Sequence, residues 1–214
     1  LFNIEIMNSF LMAISGPTAS GKSFFTNKLR ERIDALGLTT VTISTDEFYR
    51  DLSHISMKER GFVNYDLPHS IDNEEFFKTL SNLTEGKSVK IQVYDYTTHT
   101  RMDKFRTINP ADLIIIEGIF SLSFPEINKL YDIKIFIDLD QDLRLIRRVK
   151  RDMIERGRTL ESILHQYMTQ VRPTQKDYVS NDQSIADLSL NGNQSYDNFI
   201  SLLISAIKDK NQNS

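Results

Sequence analysis

The sequence contains no cysteine. It can therefore form no disulfide bond, no thiolate zinc site and no cysteine nucleophile, and a cytoplasmic location fits this composition. Long hydrophobic runs are missing as well. The longest, Phe10–Ile14 and Leu113–Ile116, fall far short of the ~20 residues that cross a bilayer, so we expect no membrane partner.

Neither charge dominates, since 26 Lys and Arg stand against 29 Asp and Glu for a formal charge of −3. This balance argues against a pervasively basic surface, and we expect no nucleic-acid partner. With 214 residues, 40% of them hydrophobic, and no Ser/Gly/Pro-rich linker, the chain fits a single domain over residues 1–214. Leu1–Ile6 shows no signal-peptide features, and we predict a flexible segment over residues 1–9.

Short apolar runs recur along the chain and alternate with helical patterns. Phe10–Ile14 is followed by glycine and proline, and then by apolar residues at helical spacing over Lys22–Leu36. Continuously apolar strands separated by helices indicate a mostly parallel sheet covered on both faces, and hence a three-layer α/β/α fold. Further strands are predicted at residues 40–44, 113–116, 133–137 and, more weakly, 186–190.

A different alternation follows in the middle of the chain. Val89–Val93 has a period of two, and Thr107–Ile108 can return antiparallel to it, which predicts a hairpin inserted before the next sheet strand. Helices are predicted at Asp142–Glu155, from Thr159 to an end at Arg172–Pro173, and at Ser195–Lys208.

The strongest chemical signal lies between the first strand and the first helix. Its pattern, GxxxxGK[ST], lets successive backbone N–H groups turn inward around a phosphate at a helix N-terminus. We expect Lys22 to meet the β- and γ-phosphates and the Ser23 hydroxyl to be a ligand of Mg²⁺. A chance glycine turn would not be flanked by a strand and a helix in this way. The predicted nucleotide site comprises Gly16, Pro17, Thr18, Ala19, Ser20, Gly21, Lys22 and Ser23.

Switches, motors, transporters and kinases share such a loop, so other residues must discriminate between them. Neither Asn-Lys pair of the chain continues into the Asn-Lys-x-Asp motif with which a GTPase reads its base. A second, acidic ligand for Mg²⁺ should follow an apolar strand, and Glu117 does so in IIIEG. The simpler interpretation is that Glu117 ends a strand at the surface.

Asp46 follows the second predicted strand, at the edge where ligands collect in open parallel sheets. There it can face the phosphate bound near Lys22, which makes it our candidate catalytic base. Phosphoryl transfer needs positioning of the acceptor more than early deprotonation, so we expect orientation to be the larger role of Asp46. Alternatively, Asp46 and Glu47 only cap the next helix.

Beyond these single sites, a series of motifs resembles the uridine (uridine-cytidine) kinases in order and spacing, from about Ile14 to Gly192. The motifs are GPTASGKS, STDEFYRDL, NYDLP with HSID, YDYTTHTR, IIIEGIFSL and RRVKRDMIERGR followed by LHQY. The resemblance implies an Mg²⁺-dependent kinase that uses ATP or GTP to phosphorylate the 5′-hydroxyl of uridine or cytidine in pyrimidine salvage. It also implies a homotetramer, and it places Asp46 at that hydroxyl.

The resemblance further implies which residues hold the nucleoside. Asp66 matches the residue that binds the ribose hydroxyls, since a carboxylate accepts two hydrogen bonds from a vicinal diol. Tyr94 and His99 match residues that read the pyrimidine, while Tyr96 offers a stacking surface and Gln166 matches a nucleoside contact. Taken alone, the two tyrosines would be packing residues and His99 an ordinary loop histidine.

Two further segments match elements that cover the substrates in such kinases. The hairpin over residues 88–109 matches the element above the nucleoside, and the basic segment 147–158 matches a lid over the phosphates, with Gly157 as its hinge. Without the resemblance, the basic residues form a solvated helix face, which suits Arg144 and Lys150 best. The matching arginines are Arg151 and Arg156 for catalysis, Arg158 for the nucleotide, and Arg148 with Arg158 for the substrate.

The chain departs from the family pattern at two places. Pro17-Thr18 stands where Gly-Ser is frequent, which removes one backbone donor. After Gly192, the segment Asn193–Ser195 lacks the aspartate that relatives place near the nucleotide base, so the choice between ATP and GTP stays open.

Two other functions compete with this prediction. A kinase for phosphoribulose, pantothenate or nicotinamide riboside would share the phosphate loop, but the block containing Tyr94 and His99 argues against it. A nucleotide-binding regulator without turnover would also keep the loop. Binding alone, however, would not require Asp46.

Overall fold

The computed structural model describes residues 9–212. Of the predicted N-terminal segment, residues 1–8 lie outside the described residues, and Ser9 is buried. The strands in the described part are β1 (Phe10–Ser15), β2 (Thr40–Ser44), β3 (Val89–Asp95), β4 (Thr100–Ile108), β5 (Leu113–Glu117), β6 (Ile133–Asp138) and β7 (Leu188–Asn191). The α-helices are α1 (Lys22–Asp34), α2 (Met57–Arg60), α3 (Asn73–Thr84), α4 (Pro125–Asn128), α5 (Gln141–Arg156), α6 (Leu160–Gln166), α7 (Arg172–Thr174), α8 (Ser180–Ile185) and α9 (Asp197–Gln212).

A parallel sheet with the order β2-β5-β1-β6-β7 forms the centre of the molecule. The predicted hairpin is confirmed, because β3 and β4 pair antiparallel outside this sheet. Among residues 9–212, no helix combines the length and the apolar character that crossing a membrane would require.

Alternate residues of the central strands enter two separate cores. Phe10, Met12 and Ile14 of β1 pack with side chains of α1 and α9 on one face. Leu11 and Ala13 pack on the other face with side chains of α3, α4 and the hairpin. Because successive side chains of a strand point to opposite faces, a continuously apolar strand is buried on both sides. The predicted three-layer α/β/α fold is confirmed.

The helical segment after the lid differs from its prediction. We expected it to end at Arg172–Pro173, but it runs on from α6 through α7 to the end of α8. Proline disrupts an α-helix because its ring clashes with the carbonyl four residues earlier. Here, Tyr167–Val171 and Gln175–Val179 on either side of Pro173 are π-helical. The wider π-helical turn relieves that clash and lets the helical path continue.

Smaller differences concern element ends. α1 stops at Asp34 rather than Leu36, and Gly37 beyond it takes a left-handed backbone with a φ of 76°. β7 starts two residues later than predicted, at Leu188. The helix α3 was not predicted, although it buries Phe76 and Leu80 against the hairpin side of the sheet.

Candidate active site

A cleft of about 1630 Å³ opens at the carboxyl edge of the parallel sheet, where loops after β1, β2, β5 and β7 meet. It brings together predicted residues that are far apart in the sequence, namely Thr18, Ala19, Gly21, Lys22, Ser23, Asp46, Asp66, Tyr96, His99, Glu117, Arg148, Arg151, Arg156, Arg158 and Gln166. The predicted residues that do not line it are Gly16, Pro17, Ser20 and Tyr94.

The phosphate loop depends on its glycines for its backbone path. Gly16 has a φ of 142°, and a Cβ at this position would lie 2.3 Å from the carbonyl oxygen of Ile137. Gly21 has a φ of 114° and stands directly before α1. Both conformations exclude ordinary side chains. The loop therefore ends at the N-terminus of a 13-residue helix, which attracts anions.

Lys22 points back into the phosphate loop. Its Nζ donates to the carbonyl oxygens of Gly16 at 2.6 Å and Pro17 at 3.0 Å. The Pro17 carbonyl also accepts the N–H of Ser20 at 3.2 Å. Pro17 therefore takes part in the loop as an acceptor, a role that does not need the donor it lacks.

Three charged groups from different elements share one electrostatic environment. Burial lowers the pKa of Lys22 to about 8, and the carboxylates of Glu117 and Asp46 oppose this shift. Burial raises the pKa of Asp46 to about 6, while the positive charge of Lys22 opposes it. A carboxyl with a pKa near 6 is a far better proton acceptor than an exposed aspartate, which suits a general base.

Asp46 lies in a 3₁₀ turn, Thr45–Phe48, directly after β2. The Ser44 side chain caps this turn, and Glu47 returns a bond to the Ser44 N–H at 3.0 Å. The alternative prediction of a capping pair is thus correct for Glu47 and wrong for Asp46. The Asp46 carboxylate instead accepts a hydrogen bond from the hydroxyl of Tyr49.

Glu117 ends β5 and lines the cleft together with Ser23. The hydroxyl of Thr26 donates to Oε2 of Glu117 at 3.3 Å. At the next residue, Gly118, a Cβ would lie 1.9 Å from Oγ1 of Thr45, so glycine allows the ends of β2 and β5 to come together. A hydroxyl and one carboxylate are the donors that Mg²⁺ uses beside substrate phosphates, and these residues therefore fit that ion.

The acceptor side contains an aromatic stack. The rings of Tyr65 and His99 lie 4.1 Å apart and nearly parallel, at 11°. His99 adopts a left-handed backbone with a φ of 55°, while Arg60 donates to the neighbouring Thr98 carbonyl at 2.9 Å. Burial lowers the pKa of His99, which favours the neutral ring with one donor and one acceptor nitrogen.

Tyr94 and Tyr96 occupy different positions although both belong to the same motif. Tyr96 is exposed and lines the cleft. Tyr94 is buried, and its ring lies 5.4 Å from that of Tyr49 and 5.3 Å from that of Tyr96. Within the described residues, the hydroxyl of Tyr94 has no hydrogen-bond partner. Tyr94 therefore supports the cleft wall from behind.

Asp66 faces the cleft opposite the lid. Burial raises its pKa, and the positive charge of Arg148 opposes that shift. Its backbone N–H donates to the side chain of Asn64 at 3.0 Å, which holds the turn before it. Asp66 also acts electrostatically on Asp46. Two carboxylates thus point into the acceptor side of the cleft.

Arg148 of α5 and Arg158, just beyond its end, bridge the two sides of the cleft. Arg148 donates to Oγ1 of Thr18 in the phosphate loop at 3.1 Å and to Oε1 of Gln166 at 2.9 Å. Arg158 donates to the same Gln166 oxygen at 2.6 Å. Since that oxygen accepts two bonds, the amide group of Gln166 turns its donors away from the arginines.

Arg144 contradicts its sequence interpretation. We expected it on a solvated helix face, but it is only 4% exposed. It donates to the carbonyl of Leu139 at 2.7 Å and to the side chain of Gln175 at 2.5 Å, so it joins α5 to the long helical segment. Helical periodicity alone did not reveal this contact, because the partner lies on another element.

Several residues that shape the site were not singled out from the sequence. Tyr49 and Thr26 hold the carboxylates of Asp46 and Glu117. Asp182 on α8 accepts the Ser15 hydroxyl at 2.5 Å, directly before the phosphate loop, and burial raises its pKa to about 7. A strand-end pattern does not identify Tyr49, Thr26 or Asp182, because their contacts arise from packing.

The chain is similar to proteins that are known. A model of the family described as "Phosphoribulokinase / Uridine kinase family" matches residues 11–197. A uridine kinase from Macrococcus caseolyticus is 40% identical over 178 residues, which cover 83% of this chain and 85% of that protein. The protein named Uridine-cytidine kinase 2-B from Danio rerio is 41% identical over 190 residues, which cover 86% of this chain and 73% of that protein.

Solved structures share the fold at low identity. Phosphoribulokinase from Rhodobacter spheroides superposes with a TM-score of 0.62 at 16% identity and covers 86% of this chain and 70% of that one. D-glycerate 3-kinase from Cryptococcus neoformans superposes with a TM-score of 0.61 at 16% identity, covering 83% and 81%. These likenesses concern the fold alone.

Proposed function

The chain belongs to the phosphoribulokinase and uridine kinase family, and within it we propose a phosphotransferase that moves the γ-phosphoryl group of ATP or GTP to the 5′-hydroxyl of uridine or cytidine. The products are UMP and CMP. The observation that carries this proposal is the position of Asp46, whose pKa responds both to Lys22 in the phosphate loop and to Asp66 on the acceptor side.

The donor side supplies charge and orientation. The amides of the phosphate loop, the N-terminus of α1 and Lys22 hold the β- and γ-phosphates, while the lid arginines stabilise the charge that spreads over the transferring group. Ser23 and Glu117 would hold Mg²⁺, which neutralises phosphate charge when it is bound. Arg151 belongs to this group, since its positive charge acts on Lys22.

The acceptor side positions the nucleoside. Asp46 orients the 5′-hydroxyl and accepts its proton as the bond to phosphorus forms, while Tyr49 holds the carboxylate in place. Asp66 accepts hydrogen bonds from the two ribose hydroxyls. His99 offers one donor and one acceptor to the pyrimidine edge, and Tyr96 offers a stacking face. Tyr94 packs behind them and supports Tyr96 and Tyr49.

We extend the proposal to the biological setting. The reaction belongs to pyrimidine salvage in the cytoplasm, and the protein assembles as a homotetramer. Relatives named uridine kinase and uridine-cytidine kinase support the reaction at about 40% identity. Light scattering of the purified protein tests the assembly.

Phosphoryl transfer to a panel of acceptors tests the function. Mg·ATP or Mg·GTP is offered with uridine, cytidine, deoxyuridine, adenosine, pantothenate, ribulose 5-phosphate or nicotinamide riboside. We expect turnover confined to uridine and cytidine, with deoxyuridine far behind. Transfer to another acceptor would keep the catalytic centre and contradict the role of His99. Nucleotide binding without any turnover would favour a regulator.

A further inference from the structure

Asp152 of α5 is a fully buried carboxylate surrounded by arginines. Its Oδ1 lies 2.8 Å from Nη2 of Arg151, which also donates through Nε at 2.9 Å. The other arginines lie at ion-pair distance, 3.6 Å in each case: Nη1 of Arg156 from Oδ1, and Nε of Arg148 and Nη1 of Arg158 from Oδ2. All four guanidinium groups line the cleft.

The distances separate two kinds of contact. Arg151 forms hydrogen bonds with Asp152, whereas Oδ2 accepts no hydrogen bond from any described residue. The contacts of the other three arginines with Asp152 are therefore ion pairs and not hydrogen bonds. This electrostatic attraction keeps the three arginines close to Asp152 without using their N–H groups in hydrogen bonds to its carboxylate.

The backbone of Asp152 also determines where Arg158 lies. Its carbonyl oxygen accepts the N–H of Gly157, which ends α5 in a left-handed conformation, and the N–H of Arg158 at 3.1 Å. The chain therefore folds back over Asp152. This turn brings Arg158 to the carboxylate that Arg156 reaches from the last turn of α5 itself.

Four guanidinium groups so close together repel one another, and the repulsion is strong where little solvent screens it. A buried carboxylate among them offsets part of this repulsion, and their charges in turn compensate for its burial. Arg148 and Arg158 are simultaneously tied to Gln166, and Arg148 to Thr18. The cluster thus spans both sides of the cleft.

We propose that Asp152 is a positioning residue that gathers the four lid arginines into one preorganised group facing the transferring phosphoryl group. This inference rests on the proposed function, in which those arginines stabilise the transition state. Asp152 does not touch the substrates and acts through the arginines. Because the phosphate loop and Lys22 bind the triphosphate in the ground state, loss of Asp152 affects the transfer step more than nucleotide affinity.

Asp152→Asn tests the proposal, since it keeps the side-chain shape and removes the charge. We expect kcat to fall about 10–100-fold, as for other misplaced catalytic groups, while the Kd of Mg·ATP measured by calorimetry changes less than about 3-fold. The matched control is Asp142→Asn, an exposed position in the first turn of the same helix, with kcat unchanged. A kcat of Asp152→Asn within twofold of wild type would overturn the proposal.

A double-mutant cycle separates positioning from a merely structural role. In the Arg151→Gln background, Asp152→Asn should lower kcat much less than in wild type, because a residue that acts through the arginines loses its effect when the closest one is gone. Equal losses in both backgrounds would show that Asp152 acts independently, which contradicts the proposal.

Folding and acceptor identity are controlled separately. If Asp152→Asn does not fold, Asp152→Glu displaces the charge by one methylene. We expect kcat to fall by about tenfold, and a wild-type kcat would overturn the proposal.

If wild type phosphorylates no acceptor, the proposed function fails on its own. The affinity of Mg·ADP with aluminium fluoride, a mimic of the transferring group, then tests Asp152, with a loss of at least tenfold expected and unchanged affinity contradicting it.

Discussion

The donor side of the cleft is one contiguous loop, Gly16–Ser23, whereas the acceptor side is assembled from segments that are far apart in the chain. The donor loop works through backbone N–H groups at a helix N-terminus. The proposed acceptor side consists of side chains such as Asp46, Asp66 and His99, which reach the cleft from different elements.

This difference separates nucleotide binding, which is general, from selection of the acceptor, which is specific. Backbone amides and a lysine bind the phosphates that every nucleoside triphosphate carries, so a short local motif is sufficient. Discrimination among alcohol acceptors needs hydrogen-bonding groups at fixed relative positions, and only packing supplies them. Substitutions on the acceptor side should therefore change the reaction or its selectivity and leave nucleotide affinity intact.

Asp46→Asn should give the largest effect, because Asp46 belongs to the acceptor side and yet faces the donor phosphates. We expect kcat to fall by about 10²-fold or more, the usual contribution of a positioned base. The Kd of Mg·ATP should stay close to wild type. Steady-state kinetics and calorimetry measure the two quantities, and Asp142→Asn is the matched control. Near-normal turnover would remove Asp46 from the chemistry.

Replacing uridine by deoxyuridine should have the next largest effect. The change removes one ribose hydroxyl, whose hydrogen bond Asp66 would accept. Loss of a hydrogen bond to a charged group lowers kcat/KM by about 10–100-fold. With Asp66→Asn, the ratio of the two kcat/KM values should move towards one. Equal kcat/KM for both nucleosides in wild type would contradict the ribose role of Asp66.

His99→Ala should weaken nucleoside binding without altering the donor side. We expect the KM for uridine to rise about 5–10-fold, as for one lost neutral hydrogen bond, with unchanged affinity for Mg·ATP. His54→Ala, at an exposed position, serves as the control. An unchanged KM for uridine would return His99 to the role of an ordinary loop residue that only stacks on Tyr65.

The pH dependence should follow Asp46. Its pKa of about 6, raised by burial, means that the carboxylate is protonated and cannot act as a base below that pH. We expect kcat/KM, measured with both substrates below saturation, to fall by about tenfold per pH unit below pH 6. A flat profile between pH 5 and 7 would contradict this assignment.

The smallest effect concerns stability. A carboxyl whose pKa is raised in the folded state binds protons more tightly there, so its ionised form destabilises the fold above pH 6. Asp46→Asn should therefore raise Tm at pH 8 by about 2–4 °C, the shift that ~1 kcal/mol gives in a chain of this size. The difference should shrink as the pH falls from 6 towards the ordinary aspartate value. A lowered Tm at pH 8 would contradict the burial of this charge.

Sequence patterns correctly predicted the elements whose conformation depends on neighbouring residues in the chain. The apolar strands around Leu11 and Ile115, the hairpin and the turn from Gly16 to Lys22 all follow from periodicity and glycine placement. The continuation of the helix through Pro173 did not, because π-helical turns depend on the packing around them. The predicted exposure of Arg144 was also wrong. Its side chain is buried because its partners are a loop carbonyl and Gln175 on another segment.

The sequence by itself determined the three-layer fold, the phosphate loop and the candidate residues Asp46 and Glu117 at strand ends, because these depend on short-range patterns that backbone geometry imposes. Tertiary structure alone decided that Tyr49 holds Asp46 and that Tyr94 stands behind the cleft wall. It also decided that four arginines converge on Asp152. Such contacts join residues whose separation in the chain carries no periodic signal, and only the free energy of packing selects them.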